Sequence, residues 1–188
     1  MVIMEKLILI LVSSLIILCS CNRKGRNIEL SSGYRNVYNM DTSVNEFKLM
    51  DSISLDTVFM LQVNNYIVND FQYGEGIYVS NVTDDEFVFM KFNYGRIGQE
   101  IDAFILTDSI PLEFSLYKIQ SRVLRFTSTH GAYIGMSKND FISNYFNNNI
   151  SSIELESKYV LYDSINLLYN KYFFRNDTLR KIEIGYDW

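Results

Sequence analysis

The run Phe87-Val88-Phe89-Met90-Lys91-Phe92 is apolar at both alternating sets of positions, Lys91 excepted. A half-buried strand shows strict alternation; a run apolar on both faces belongs in the interior of a sheet. The surrounding residues read as more strands. Leu55 to Val63 is rich in strand formers, although a short helix also fits it. Gly74-Glu75-Gly76 signals a turn before Ile77-Tyr78-Val79, and Asp84-Asp85 does the same before Phe87. Asn93 to Gly98 turns the chain into a further apolar run, Ile101 to Leu106. Tyr117, Ile119 and Val123 alternate with Lys118, Gln120 and Arg122, as in a half-exposed strand. That phase is lost near Leu124 to Phe126, where a bulge would fit.

One helix is well specified, over about 137–147. Ser137 is a good N-cap, and Asp140 three residues later makes a variant capping box. Met136 and Phe141 are spaced for a hydrophobic staple. Phe141, Ile142, Tyr145 and Phe146 share one face, which must pack on the sheet, and the helix should stop near Asn147 to Asn149. Ile153 to Ile165 is compatible with one or two strands. Tyr169 to Phe174 and Leu179 to Ile184 then flank Arg175-Asn176-Asp177-Thr178, a hairpin whose Asn and Asp tolerate positive φ. The expected architecture is α+β: an antiparallel sheet with this one helix packed on it, in a single domain over 46–188. Without an internal repeat or second linker, those residues suffice for one apolar core.

The amino terminus carries a different signal. Leu7 to Leu18 is apolar apart from Ser13 and Ser14, behind Lys6 and Glu5; Met4 offers an alternative start that keeps the segment intact. Twelve helical residues rise about 18 Å, short of the roughly 30 Å of a bilayer's hydrocarbon core. The length fits the apolar region of a secretory signal; an ordinary cleaved signal and a short uncleaved anchor are the alternatives. Leu18-Cys19-Ser20-Cys21 resembles the lipobox of bacterial lipoproteins, with Leu three before the modified Cys and a small residue directly before it. Cys19 departs from the more usual Ala, Ser or Thr. The resemblance implies that residues 1–20 are a signal peptide, recognised through Leu18 and Ser20. It also implies that Cys21 carries a diacylglycerol, and often a third chain on the new terminus, which attaches the protein to the membrane. Both cysteines of the chain lie in this stretch, so the folded part has no disulfide. Residues 21–45 read as the lipidated cysteine and a flexible tether. Its opening Asn22-Arg23-Lys24-Gly25-Arg26-Asn27 is basic, where surface-exported lipoproteins of one large Gram-negative group are often acidic. The similarity implies a lipid-anchored envelope protein of the outer membrane, facing the periplasm. A basic tether near anionic head groups is the simpler account.

A second resemblance involves two later segments. Ile134-Gly135-Met136-Ser137-Lys138-Asn139-Asp140-Phe141 is similar to a helix start of small envelope lipoproteins. Phe174-Arg175-Asn176-Asp177-Thr178-Leu179-Arg180-Lys181-Ile182 is similar to their hairpin. Together they resemble proteins of the β-lactamase-inhibitor-like fold, which are non-catalytic and bind other proteins. The match spans residues 130 to 185. The chain departs in its long β-rich region before the motif and in having one helix where members of that fold typically place two helices first. Overall it looks closest to uncharacterised lipoproteins of Gram-negative gut and oral bacteria.

Charge and composition exclude some functions. With 17 Lys and Arg against 22 Asp and Glu, the net charge is -5, unsuited to gripping nucleic-acid phosphates. His130 is the only histidine; as a base it would need a nucleophile and an orienting acid, and beside Gly131 it reads as a loop or strand-end residue. Asp84-Asp85-Glu86 lacks the oxygen-ligand spacing of a calcium loop and reads as a solvated turn. Asp51, Asp56, Asp102 and Asp108 are scattered. Gly95-Arg96-Ile97-Gly98 lacks the Lys and following helix of a phosphate loop. The glycosylation-type triplets at Asn81, Asn149 and Asn176 mean little in a bacterial chain. No catalytic set, metal or cofactor is expected. The 14 Tyr and 13 Phe should mostly fill the core, with Tyr186 and Trp188 exposed. The expected function is non-catalytic binding of another envelope protein, in an accessory, inhibitory or immunity-type role. The alternative is a lipoprotein that binds glycans or peptides through surface aromatics. A deep cleft joining His130 to two carboxylates would instead indicate an enzyme.

Overall fold

In the computed structural model of the chain, residues 27–30, 39–50, 66–95, 98–146 and 157–187 are described. Their strands are β1 (Asn27–Leu30), β2 (Ser43–Val44), β3 (Phe47–Lys48), β4 (Ile67–Asp70), β5 (Gly74–Ser80), β6 (Phe87–Gly95), β7 (Gly98–Thr107), β8 (Lys118–Gln120), β9 (Lys158–Asp163), β10 (Leu168–Arg175) and β11 (Thr178–Tyr186). One α-helix, α1 (Lys138–Tyr145), accompanies them. The main sheet runs β1-β9-β10-β11-β7-β6-β5-β4, with β8 also on β5, and β2 pairs with β3 alone. Two antiparallel meanders, β4–β7 and β9–β11, are thus joined edge to edge through β11 and β7. The sheet is mostly antiparallel, with parallel pairs where β1 meets β9 and β8 meets β5.

The double-sided apolar run is β6, held between β5 and β7. Val88, Met90 and Phe92 face the main core. Phe89 lies in a smaller core on the other face with Val68, Tyr78, Ala103 and Ile105. Helix α1 closes the main core. Its cap is the expected one: Ser137 Oγ accepts from the Asp140 backbone N–H at 3.1 Å and donates to Asp140 Oδ2 at 2.6 Å. Phe141 packs its ring against Tyr145, Phe146, Tyr159, Tyr172 and Phe174, at centroid distances of 4.6 to 6.0 Å. The β10–β11 turn is also as read, with Asn176 and Asp177 at φ 51° and 56°.

Four readings are corrected or narrowed. Gly74-Glu75-Gly76 begins β5; the turn is Phe71–Tyr73, just before it, and Gly74 takes the left-handed φ of 90°. The strand expected over 117–123 stops at Gln120, because its partner β5 ends at Ser80, whose carbonyl accepts from Ser121. With the strand ended there, no bulge follows it. The domain also begins before residue 46. Within the supposed tether, 27–30 forms β1 along β9. Asp41 and Val44 are fully buried, Asp41 on polar partners inside the main core and Val44 among its apolar side chains. Leu55 to Val63 and Asn147 to Asn149 lie outside the described residues, as do residues 153–156 of the next expected strand segment.

Candidate functional site

The second face of the sheet carries the candidate site. Asp70 ends β4 and is 4% exposed. Its Oδ1 accepts from the backbone N–H groups of Gln72 at 2.8 Å and Tyr73 at 3.1 Å, which curls the turn over the sheet. Its Oδ2 accepts from the Tyr78 hydroxyl at 2.7 Å. Burial, with Asp70 beside it, holds the Tyr78 hydroxyl well above the ordinary tyrosine range. Tyr73 leans over Phe89, ring centroids 5.7 Å apart. Opposite, Pro111 leads a single 3-10 turn, Leu112–Phe114, whose Phe114 stacks on Tyr78 at 5.5 Å.

Between these two walls runs an open groove of about 420 Å³, floored by Tyr78, Ile105 and Thr107. Phe71 stands on its rim fully exposed, and Glu113 lies on the opposite wall. Leu112 and Leu116, both exposed, belong to the segment that forms that wall. On the far side of Tyr73 a shallower depression of about 240 Å³ is lined by Lys91, Ala103, Tyr169 and Glu183. Here cations and rings interleave: Lys171 lies 4.1 Å from the Tyr169 centroid, and Lys181 is 5.1 Å from that of Tyr73 and 5.0 Å from that of Phe173. Burial, with Glu183 next to it, raises Tyr169 to about 12. Burial pulls Lys181 down, but hydrogen bonds to Glu183 and Tyr73 outweigh it and hold the ammonium above its ordinary value.

The residues singled out in the sequence fall elsewhere. Leu18, Ser20 and Cys21 lie outside the described residues, as do Asp51, Asp56 and Trp188. His130 is exposed; its backbone N–H donates to Asp41 Oδ1 at 2.8 Å and its ring meets the edge of Tyr145. The acidic triplet is knitted into the fold. Asp84 pairs with Lys118, Asp85 Oδ1 accepts from Thr83 and Asn81, and Glu86 pairs with Arg125 and accepts from the Phe126 backbone. Asn81 is buried at the centre of that turn, and Asn176 sits in the β10–β11 turn. Asp102 pairs with Lys91 and Asp108 with Arg180. Gly95 and Gly98 face each other at the end of the β6–β7 hairpin, so they do not lead into a helix. Tyr186, expected to be exposed, is half-buried against the main core.

The helix-start and hairpin motifs do meet. Leu179 exchanges backbone hydrogen bonds with Gly135 and Met136, and Lys138 Nζ is 2.7 Å from Asp177 Oδ1. Sequence reasoning missed the groove. Asp70 before a turn and a proline opening a 3-10 turn are local signals, but their convergence on one face depends on the sheet order. Among the described residues no His, Cys, Asp or Glu cluster could hold a metal ion, and no helix is long and apolar enough to cross a membrane. No protein-family model, curated protein or solved structure matches the chain.

Proposed function

We propose that this is a lipid-anchored envelope protein whose domain binds another envelope protein without catalysing a reaction. The anchor reading rests on Leu18, Ser20 and Cys21. The binding reading rests chiefly on Phe71, a large apolar side chain fully exposed at the rim of the groove. Leu112 and Leu116 add exposed apolar surface on the opposite wall. Exposed apolar side chains that include an aromatic anchor suit a protein partner. The groove is open along its length, whereas small-molecule pockets enclose most of their ligand. The concave run of Tyr73, Tyr78 and Phe114 supports the second reading, an extended peptide or glycan laid on aromatic faces.

The test is in-cell crosslinking from the native host with a C-terminally tagged chain, with Cys21→Ser as the mislocalised control. One dominant envelope protein, lost in the control, is the expected result. No protein partner would overturn the reading and move weight to the ligand, to be followed by glycan and peptide binding screens.

A further inference from the structure

Several acidic side chains of the sheet region are matched with cations. Asp84 pairs with Lys118, Glu86 with Arg125, Asp102 with Lys91, Asp108 with Arg180, Asp177 with Lys138, and Glu183 with both Lys171 and Lys181. Asp70 and Glu113 have no Lys or Arg partner among the described residues, and both line the groove. Among the described residues no Lys or Arg lines it with them. The hydrogen-bond donors to Asp70 are neutral, two backbone amides and the Tyr78 hydroxyl, so its charge is solvated but not neutralised. A buried carboxylate of this kind keeps a negative potential in the groove above it. Glu113 adds a second negative charge on the wall. The faces of Phe71 and Phe114 supply quadrupoles that also attract a cation.

We infer that the groove takes a cationic side chain, a lysine or arginine of the partner protein, with Glu113 as its ion partner and the aromatic walls around its stem. This deepens the protein-binding reading and rests on it for the source of the cation. A protein side chain suits the open groove better than a free amine, because the rest of the partner can cover the exposed Phe71 and Leu112.

The test is an NMR titration of the full chain in detergent micelles with acetylated, amidated Gly-Arg-Gly and its citrulline counterpart, which has nearly the same shape without the charge. The arginine peptide should bind about tenfold more tightly than the citrulline peptide. Glu113→Gln should weaken the arginine peptide by about threefold and leave the citrulline peptide unchanged. Phe71→Ala should weaken both. Raising the salt concentration should reduce the arginine preference. Equal binding of the two peptides, or an arginine preference untouched by Glu113→Gln, would overturn the inference. Repeating the in-cell capture with Glu113→Gln separates the two proposals. A partner captured undiminished by that variant removes the cation site and leaves the partner reading standing. No partner with the unaltered chain removes the partner reading, and the peptide titration still decides the groove.

Discussion

The hydroxyl of Tyr172 donates to Oδ2 of Asp41 at 2.6 Å, joining residues 131 positions apart inside the main core. Tyr145 donates to the same oxygen at 2.5 Å, and the His130 backbone N–H to Oδ1 at 2.8 Å. Asn170 closes the ring: its Oδ1 accepts from the Asp41 N–H at 2.6 Å and its Nδ2 donates to the Asp41 carbonyl at 3.0 Å. One fully buried carboxylate therefore fastens the 39–50 segment to the helix, to the loop before it and to β10. Asp41→Ala would leave those donors unsatisfied and should cost on the order of 3 kcal/mol. Asp41→Asn should cost less, because tyrosine hydroxyls can turn to accept from an amide. Urea unfolding midpoints of both variants test this; an unchanged midpoint for Asp41→Ala would show that the segment is not fastened there.

The same tyrosines predict how the fold fails in alkali. Burial, reinforced by Asp41, holds Tyr145 and Tyr172 well above the ordinary value of 10.0, and burial with Asp70 does the same for Tyr78. Above pH 10 the unfolded chain loses these protons while the folded chain keeps them. The folded state then binds more protons, so stability falls as pH rises. It is fully present below pH 10 and is lost by about 1.4 kcal/mol per pH unit for each such tyrosine. Urea midpoints between pH 8 and 11.5 should be flat and then fall. Tyr172→Phe should make the fall shallower. A profile flat to pH 11.5 would contradict the buried placement of all three.

Ser137→Ala removes both bonds between the cap and Asp140 and should cost about 1 kcal/mol. The Lys138–Asp177 pair is made by the next residue and should survive the change. A midpoint unaffected by Ser137→Ala would argue against a helix that starts there.

The difference between Ser137 and Asp41 marks what could be read in the sequence. The cap, the hairpin turn at Asn176-Asp177 and the two-sided run of β6 are encoded within a few neighbouring residues, so capping and periodicity reach them. Asp41 sits in a stretch rich in Gly, Ser and Asn with no apolar period, and its partners lie near residues 130, 145 and 170. Nothing local distinguishes it from a tether residue. The groove is hidden for the same reason: Asp70 and Glu113 are unremarkable acids until the sheet brings β4, β7 and the 3-10 turn to one face. Phe71 reads as one more core aromatic in a chain rich in them, and only the turn held by Asp70 places it outside. The proposed anchor rests on Leu18, Ser20 and Cys21 alone and is independent of how the domain folds.

Gly76 ties the groove to the sheet beneath it. A Cβ at this position would lie 2.3 Å from the Met90 carbonyl oxygen and 2.6 Å from the Phe89 ring. Neither neighbour can yield cheaply, since one is the backbone of the central strand and the other is a fully buried ring wedged beside Tyr78. Gly76→Ala should therefore cost about 2 kcal/mol or more through overpacking. Gly74, two residues earlier, has open space around its missing side chain and a φ of 90°. Gly74→Ala should cost only about 1 kcal/mol, from backbone strain alone. Because Phe89 supports both Tyr73 and Tyr78, Gly76→Ala should also disturb the groove. Amide and aromatic NMR shifts of Tyr73, Tyr78 and Phe114 should move in Gly76→Ala at temperatures where it remains folded, and those of Phe114 should stay in place in Gly74→Ala. If the two variants were equally stable, Phe89 would not pack over Gly76 and the groove's floor would be built differently.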